Sequence, residues 1–129
     1  MVNNFGKFCR KLRIDKDQVL SDMAKNLGVS SAFLSQVENG KKKPPKEWRE
    51  ILVNIYKLNA KEIKQLDQYM YEAQNYDSID ISYMDHNDRM MLLSFVGHFN
   101  TIDKDKLRMF MQKEMGNEWT STGNEHKDL

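Results

Sequence analysis

Residues 26–45 read NLGVSSAFLSQVENGKKKPP, and the punctuation of this stretch decides how the chain folds. Gly28 supplies the backbone freedom for a tight turn, Val29 plugs the corner, and Ser30 is a good helix N-cap, so a helix is expected over 31–39. Gly40 suits the position just past a helix end, and Pro44-Pro45 keep the chain from re-entering a helix before about Lys46. Upstream, Val19, Leu20, Met23, Ala24 and Leu27 repeat at the three and four spacing of an amphipathic helix. That predicts a helix over 18–27 with Asp17 as its cap, and leaves only Gly28, Val29 and Ser30 between the two helices.

Working outward, Phe5, Phe8, Cys9 and Leu12 mark one face of a first helix over 4–13. A fourth helix places Trp48, Ile51, Leu52 and Ile55 together. The run Asn59-Ala-Lys-Glu62 has the form of a capping box opening a fifth helix, whose apolar set is Ile63, Leu66, Tyr69, Met70 and Ala73. These five helices define a domain over 1–74. Ile79-Asp-Ile-Ser-Tyr83 alternates with period two, which predicts one short strand, with no partner in this chain unless a symmetry mate provides one. Asp85 is placed to cap a helix over 86–99 with Met90, Leu93, Val96, Gly97 and Phe99 on one side. A further helix over 103–115 carries Leu107, Phe110, Met111 and Met115. Joined at Asn100-Thr101-Ile102, the two make an αα-hairpin that cannot bury its apolar stripe alone. The hairpin forms an extension over 75–116 for dimerisation or partner binding, and 117–129 is a polar, aperiodic tail expected to be mobile. The fold class is therefore all-α.

Charge separates the same regions. Residues 1–58 carry 12 Lys+Arg against 6 Asp+Glu and residues 59–129 carry 8 against 13, so a net charge of +1 conceals a basic half fused to an acidic one. A basic module is drawn to polyanions; the bland reading is clustered, solvated charge. The single cysteine, Cys9, excludes an internal disulfide and a multi-cysteine zinc site, and its neighbours make it core packing. No signal peptide is visible at MVNNFGKF, and the longest apolar run in the later helices, MMLL, is too short to cross a bilayer. A cytoplasmic protein without a membrane association is expected. Enzyme readings fail on inventory: His86, His98 and His126 lack metal-motif spacing, no Gly-rich phosphate loop is present, and Ser94 with His98 lacks an orienting acid. No catalytic residue, metal or cofactor is expected.

FGKFCRKLR, AKNLGVS and AFLSQVENGKKKP, with Ala24, Gly28, Leu34 and Val37 where a small residue, a turn glycine and two core contacts belong, resemble the Xre family of bacterial and phage helix-turn-helix regulators, the class of the lambda-type repressor and Cro. The likeness covers 5–58, a little under half of the chain. It implies a five-helix lambda-repressor-like domain whose recognition helix, 31–39, points its N-terminal end at base edges in the major groove of double-stranded DNA. Carried over residue by residue, Ser30, Ser31, Ala32, Ser35 and Gln36 face the bases. Gln36 suits a bidentate contact to adenine and Ala32 a thymine methyl. Asn39, Lys41, Lys42 and Lys43 grip phosphates, and Arg10 with Glu38 makes an internal ion pair. Where the family commonly has Ser or Thr followed by Gln at the start of the second helix, this chain has Val19-Leu20, and Lys16 and Gln18 stand in as the second phosphate anchor. The reading face is light in arginine, so specificity leans on a dimer or on DNA shape.

The resemblance implies a sequence-specific transcriptional regulator, a homodimeric repressor on a pseudopalindromic operator. The alternative is an antitoxin or mobile-element protein that binds a partner protein through 86–115 and represses its own operon. Five of the nine methionines lie between Met90 and Met115, and methionine-rich faces pack adaptably against varied partners. Core or dimer packing, a ligand pocket and a toxin-binding groove are all compatible with that composition.

Overall fold

The computed structural model describes residues 1–116, so the tail expected over 117–129 lies outside the described residues. All regular structure within them is helical: α1 (Asn4–Asp15), α2 (Leu20–Leu27), α3 (Ser31–Glu38), α4 (Trp48–Ile55), α5 (Ala60–Asn75), α6 (His86–Gly97), a 3-10 turn at Phe99–Thr101, and α7 (Lys104–Met115). The chain divides into two compact units, Met1–Tyr76 and a second that begins at Asp77.

In the first unit, α1 opens on the Asn3 side chain, which accepts the Gly6 N–H at 2.8 Å. Its far end runs past the expected Arg13, and the region between α1 and α2 departs from expectation for a local reason. Asp17 takes a left-handed φ of 55°, and the Gln18 N–H turns back to the Arg13 carbonyl at 2.8 Å. Asp17 therefore helps to close α1 and does not cap α2. Val19 is the N-cap of α2 and has no side-chain acceptor; the Asp22 carboxylate takes the Val19 N–H at 2.8 Å, ordering the helix start in its place.

Between α2 and α3, Gly28 adopts φ 70° and ψ 29°. Its N–H and that of Val29, which reaches the Ala24 carbonyl at 3.0 Å, close the end of α2. The Ser30 hydroxyl oxygen then accepts the Phe33 N–H at 3.1 Å and starts α3. The Asn59–Glu62 capping box forms at α5, with both reciprocal bonds in place.

These starts aim one apolar face of each helix at a common core. Phe5, Met23, Leu34, Val37, Leu52 and Leu66 have no exposed surface. Trp48 binds α3 to α1, since its ring stacks on Phe5 at 6.2 Å and meets the edge of Phe33 at 5.9 Å. Leu34 and Val37 each contribute roughly 1.5–3 kcal/mol by burial, so one side of α3 is committed to the core.

A second attachment of α3 is polar. Glu38 is 1% exposed and pairs with Arg13, 8% exposed, whose Nη2 donates to Oε1 at 3.1 Å and whose Nη1 donates to Oε2 at 2.5 Å. Arg10, the partner expected from the sequence, also pairs with Glu38, Nε to Oε1 at 3.5 Å, from a half-exposed position. Arg13 lies four residues after Cys9 and so shares its inward face, whereas Arg10 is rotated away. The Asn3 N–H bonds to the Glu38 carbonyl at 3.1 Å. A Cβ on Gly6 would lie 2.3 Å from that same oxygen, so the close approach of α1 to the end of α3 requires glycine.

The second unit is built differently. Ile79 to Tyr83 forms no strand. Asp80 accepts both the N–H and the hydroxyl of Ser82, and this local turn competes with an extended chain. Arg89 then gathers the carbonyls of Ile81, Ser82 and Met84 onto the start of α6. Helix α6 stops at Gly97, short of the expected Phe99. There the Lys104 ammonium takes the carbonyls of Phe99 and Ile102 and sits 4.3 Å over the Phe99 ring.

Among the described residues from Asp77 onward, none is buried. The apolar residues of α6 are not confined to the expected stripe. Met91, Leu92 and Phe95 line an open groove of about 850 Å³ together with Leu107, Phe110 and Met111 of α7, while Met90, Leu93 and Val96 lie outside it.

Candidate nucleic-acid interface

The sequence on α3 sorts its side chains by angle. Leu34, Val37 and Glu38 are buried, and Ala32 and Gln36, four apart, are exposed on one face with Ser35 beside them at intermediate burial. Ser31 is half-buried at the first turn. Ser30 is exposed, and although its oxygen caps α3, its hydroxyl proton remains available to an outside acceptor. The five residues expected to face bases therefore occupy the N-terminal end and the outer side of one helix.

Charge along this strip has one sign. From Val29 to Lys43 the sole acid is Glu38, and Glu38 is turned inward onto Arg13. The outward surface of α3 and of the loop that follows thus carries no carboxylate, and the positive end of the α3 dipole lies at Ser31. The loop is held near the helix: Gly40 takes φ 77°, and the Lys41 and Lys42 N–H groups both return to the Gln36 carbonyl, at 2.8 and 3.3 Å. Pro44 is buried, and its carbonyl accepts from the Gln74 amide of α5 at 3.0 Å.

The lysines within this loop have different surroundings. Lys41 and Lys42 are exposed on the loop beside the α3 end, whereas the Lys43 ammonium lies 5.9 Å over the Tyr76 ring and is drawn toward the end of α5. Asn39 is engaged locally as well. Its Nδ2 donates to the Ser35 carbonyl at 2.8 Å and approaches the Ser35 hydroxyl at 3.5 Å, so its amide folds back over the helix end. The terminal ammonium of Met1 reaches the Asn39 carbonyl at 3.5 Å.

At the other edge, Lys16 is exposed on the turn after α1, and Gln18 is fixed by a bond the sequence did not reveal. The Tyr56 hydroxyl donates to Gln18 Oε1 at 2.6 Å and accepts from Asn26 Nδ2 at 3.3 Å. With its carbonyl occupied, the Gln18 amide has its N–H groups left to donate. Tyr56 is buried at the ring, and burial pushes its hydroxyl pKa up. The signal for this contact is nonlocal, joining the end of α4 to the turn before α2, which is why residue spacing could not find it.

Cys9 is fully buried beneath this surface. Desolvation, reinforced by the nearby Glu38 charge, pushes its thiol pKa far up and keeps it neutral. It belongs to the packing of α1 and offers no nucleophile to the surface. No helix among the described residues is long and apolar enough to cross a membrane. Compared with protein-family models, with curated proteins and with solved structures, the chain matches none.

Proposed function

We propose that the first unit is a lambda-repressor-like helix-turn-helix domain and that the protein is a sequence-specific, DNA-binding transcriptional regulator acting as a homodimeric repressor. The observation that carries this reading is the division of α3: core contacts and the lone acid on one side, small polar groups and a lysine-bearing loop on the other. A helix with that cross-section can enter a major groove without bringing negative charge to the phosphates. Gln36 reads an adenine edge, Ala32 meets a thymine methyl, and the serines at 30, 31 and 35 serve either base edge. Lys41, Lys42 and Lys16 hold the backbone on the two sides, with Gln18 positioned by Tyr56. Lys43 and Asn39 are given smaller parts, because the first is drawn over Tyr76 and the second ties down the helix end.

One such helix reads only a few base pairs, so a single subunit binds weakly. Two subunits on related half-sites add their free energies, and an operator with matching two-fold symmetry follows. Repression then needs nothing more than occupancy of DNA that the transcription machinery must use.

The test is selection of bound duplexes from a random pool by the full-length chain, followed by anisotropy titration on the enriched sequence. Gln36→Ala should weaken that complex by about 5- to 150-fold and relax the sequence preference, the range of one bidentate contact. Lys42→Ala should weaken all duplexes alike and flatten the log K against log salt slope by about 0.9. A pool that yields no preferred sequence, or an affinity for duplex indifferent to salt, sinks the proposal.

A further inference from the structure

The first unit has a buried apolar core, and among the described residues the second has none. Of the large apolar side chains left exposed among the described residues, 11 of 17 lie between Ile79 and Met115. Helix α6 is the extreme case, with apolar residues on every side and none of its residues buried. A helix of that composition is stable in water only when something surrounds it. Its own α7 borders one side, across the 850 Å³ groove.

We propose that this groove receives the α6–α7 hairpin of a second copy of the chain, the two hairpins interlocking as a four-helix unit in which α6 runs antiparallel to its mate across a two-fold axis. This deepens the dimer invoked above by giving it a surface and a geometry. Two observations select a second copy as the occupant.

The first is coverage. A small molecule seated in the groove would meet Met91, Phe95, Leu107 and Phe110 but leave Met90, Leu93 and Val96 in water. Another helical hairpin straddling α6 covers both sides together. The second is area. Nine side chains of α6, the 3-10 turn and α7 stand exposed: Met90, Met91, Leu93, Phe95, Val96, Phe99, Met109, Phe110 and Met115. At on the order of 100 Å² apiece they offer about 900 Å², against roughly 800 Å² per partner in a stable interface.

A two-fold axis crossing the middle of α6 sets the helix antiparallel to its mate, with the helix dipoles opposed. The two helices match in length at 12 residues each, about 18 Å, so neither end of such a unit is left uncovered.

Sedimentation equilibrium of the full-length chain without DNA, up to about 100 µM, should give twice the 15.3 kDa chain mass. The double substitution Phe95→Glu, Phe110→Glu should give a monomer while Cys9, buried in the first unit, stays closed to thiol reagents and so reports that unit unchanged. Because Cys9 is buried, a thiol introduced by Met91→Cys, midway along α6, should join its counterpart in a covalent dimer on mild oxidation. A wild-type chain that stays monomeric overturns the proposal, as does a double variant that stays dimeric or a Met91→Cys dimer that fails to cross-link. A monomer that still selects a DNA sequence removes the hairpin exchange alone. A cross-linking dimer that selects no sequence removes the DNA reading alone.

Discussion

Replacing Arg13 by methionine tests how α3 is held. The change keeps the length of the buried stem and deletes the guanidinium, leaving the Glu38 carboxylate, 1% exposed, with Arg10 as its remaining cation at 3.5 Å. Breaking a buried pair by removing one partner costs about 3–5 kcal/mol. Arg10 can swing closer from its half-exposed position, so the lower end, about 3 kcal/mol, is expected. For a unit of this size each kcal/mol lowers Tm by about 4–8 °C, which puts the loss near 12–24 °C. The assay is thermal unfolding followed by far-ultraviolet circular dichroism, with urea titration as the second probe. The companion variant, Arg13→Met with Glu38→Leu, removes both charges and should recover to within about 1–2 kcal/mol of wild type, since an apolar replacement of the whole pair is nearly neutral. If the single variant loses less than about 1 kcal/mol, Glu38 is not confined as described. If the double variant is no better than the single, the loss comes from packing and not from the stranded carboxylate.

Two further substitutions or probes follow from the same region. Gly6→Ala places a methyl 2.3 Å from the Glu38 carbonyl oxygen, forcing α1 from α3; a loss of about 1–3 kcal/mol, the usual cost of overpacking, should appear in the same melts. Cys9, neutral and buried, should react with an aromatic disulfide reagent only as fast as the first unit opens, so its labelling rate should rise with urea and match the unfolding rate; rapid labelling of the native chain at pH 8 contradicts the burial.

The parts of the fold legible in the sequence were those set by neighbouring residues. The glycine turn at Gly28, the Ser30 cap and the Asn59–Glu62 box each depend on a backbone angle or a bond spanning three residues. The inward turn of Leu34 and Val37 and the outward turn of Ala32 and Gln36 follow from 3.6-residue spacing alone. Failures arose where two local rules competed or where the partner was distant. Asp17 has the chemistry of an N-cap, but the chain reversal needed to end α1 came first and placed it in a left-handed conformation. Arg10 does pair with Glu38, but the closer, buried partner is Arg13, whose angle relative to Cys9 turns it inward, and residue type alone did not single it out. Ile79 to Tyr83 has strand alternation, yet Asp80 and Arg89 spend the polar groups of that segment on turns. On α6 the apolar residues encircle the helix, so periodicity could not say which of them faces α7. Within the candidate interface, residue type suggested which side chains face outward, while the ties of Asn39 to Ser35 and of Gln18 to Tyr56 came only from the assembled unit.

The contact between the Met1 ammonium and the Asn39 carbonyl has a practical side. It places Met1 at the tail of α3, where Asn39 stands two residues before Lys41. A purification tag, fluorophore or fusion partner joined ahead of Met1 would emerge at the edge of the very surface whose accessibility is in question, and an acidic tag would lay carboxylates across it. Reporter groups meant to leave α3 untouched belong elsewhere, for instance at the exposed side of α5 around Lys61 and Lys64, where a label can be read without standing in the way.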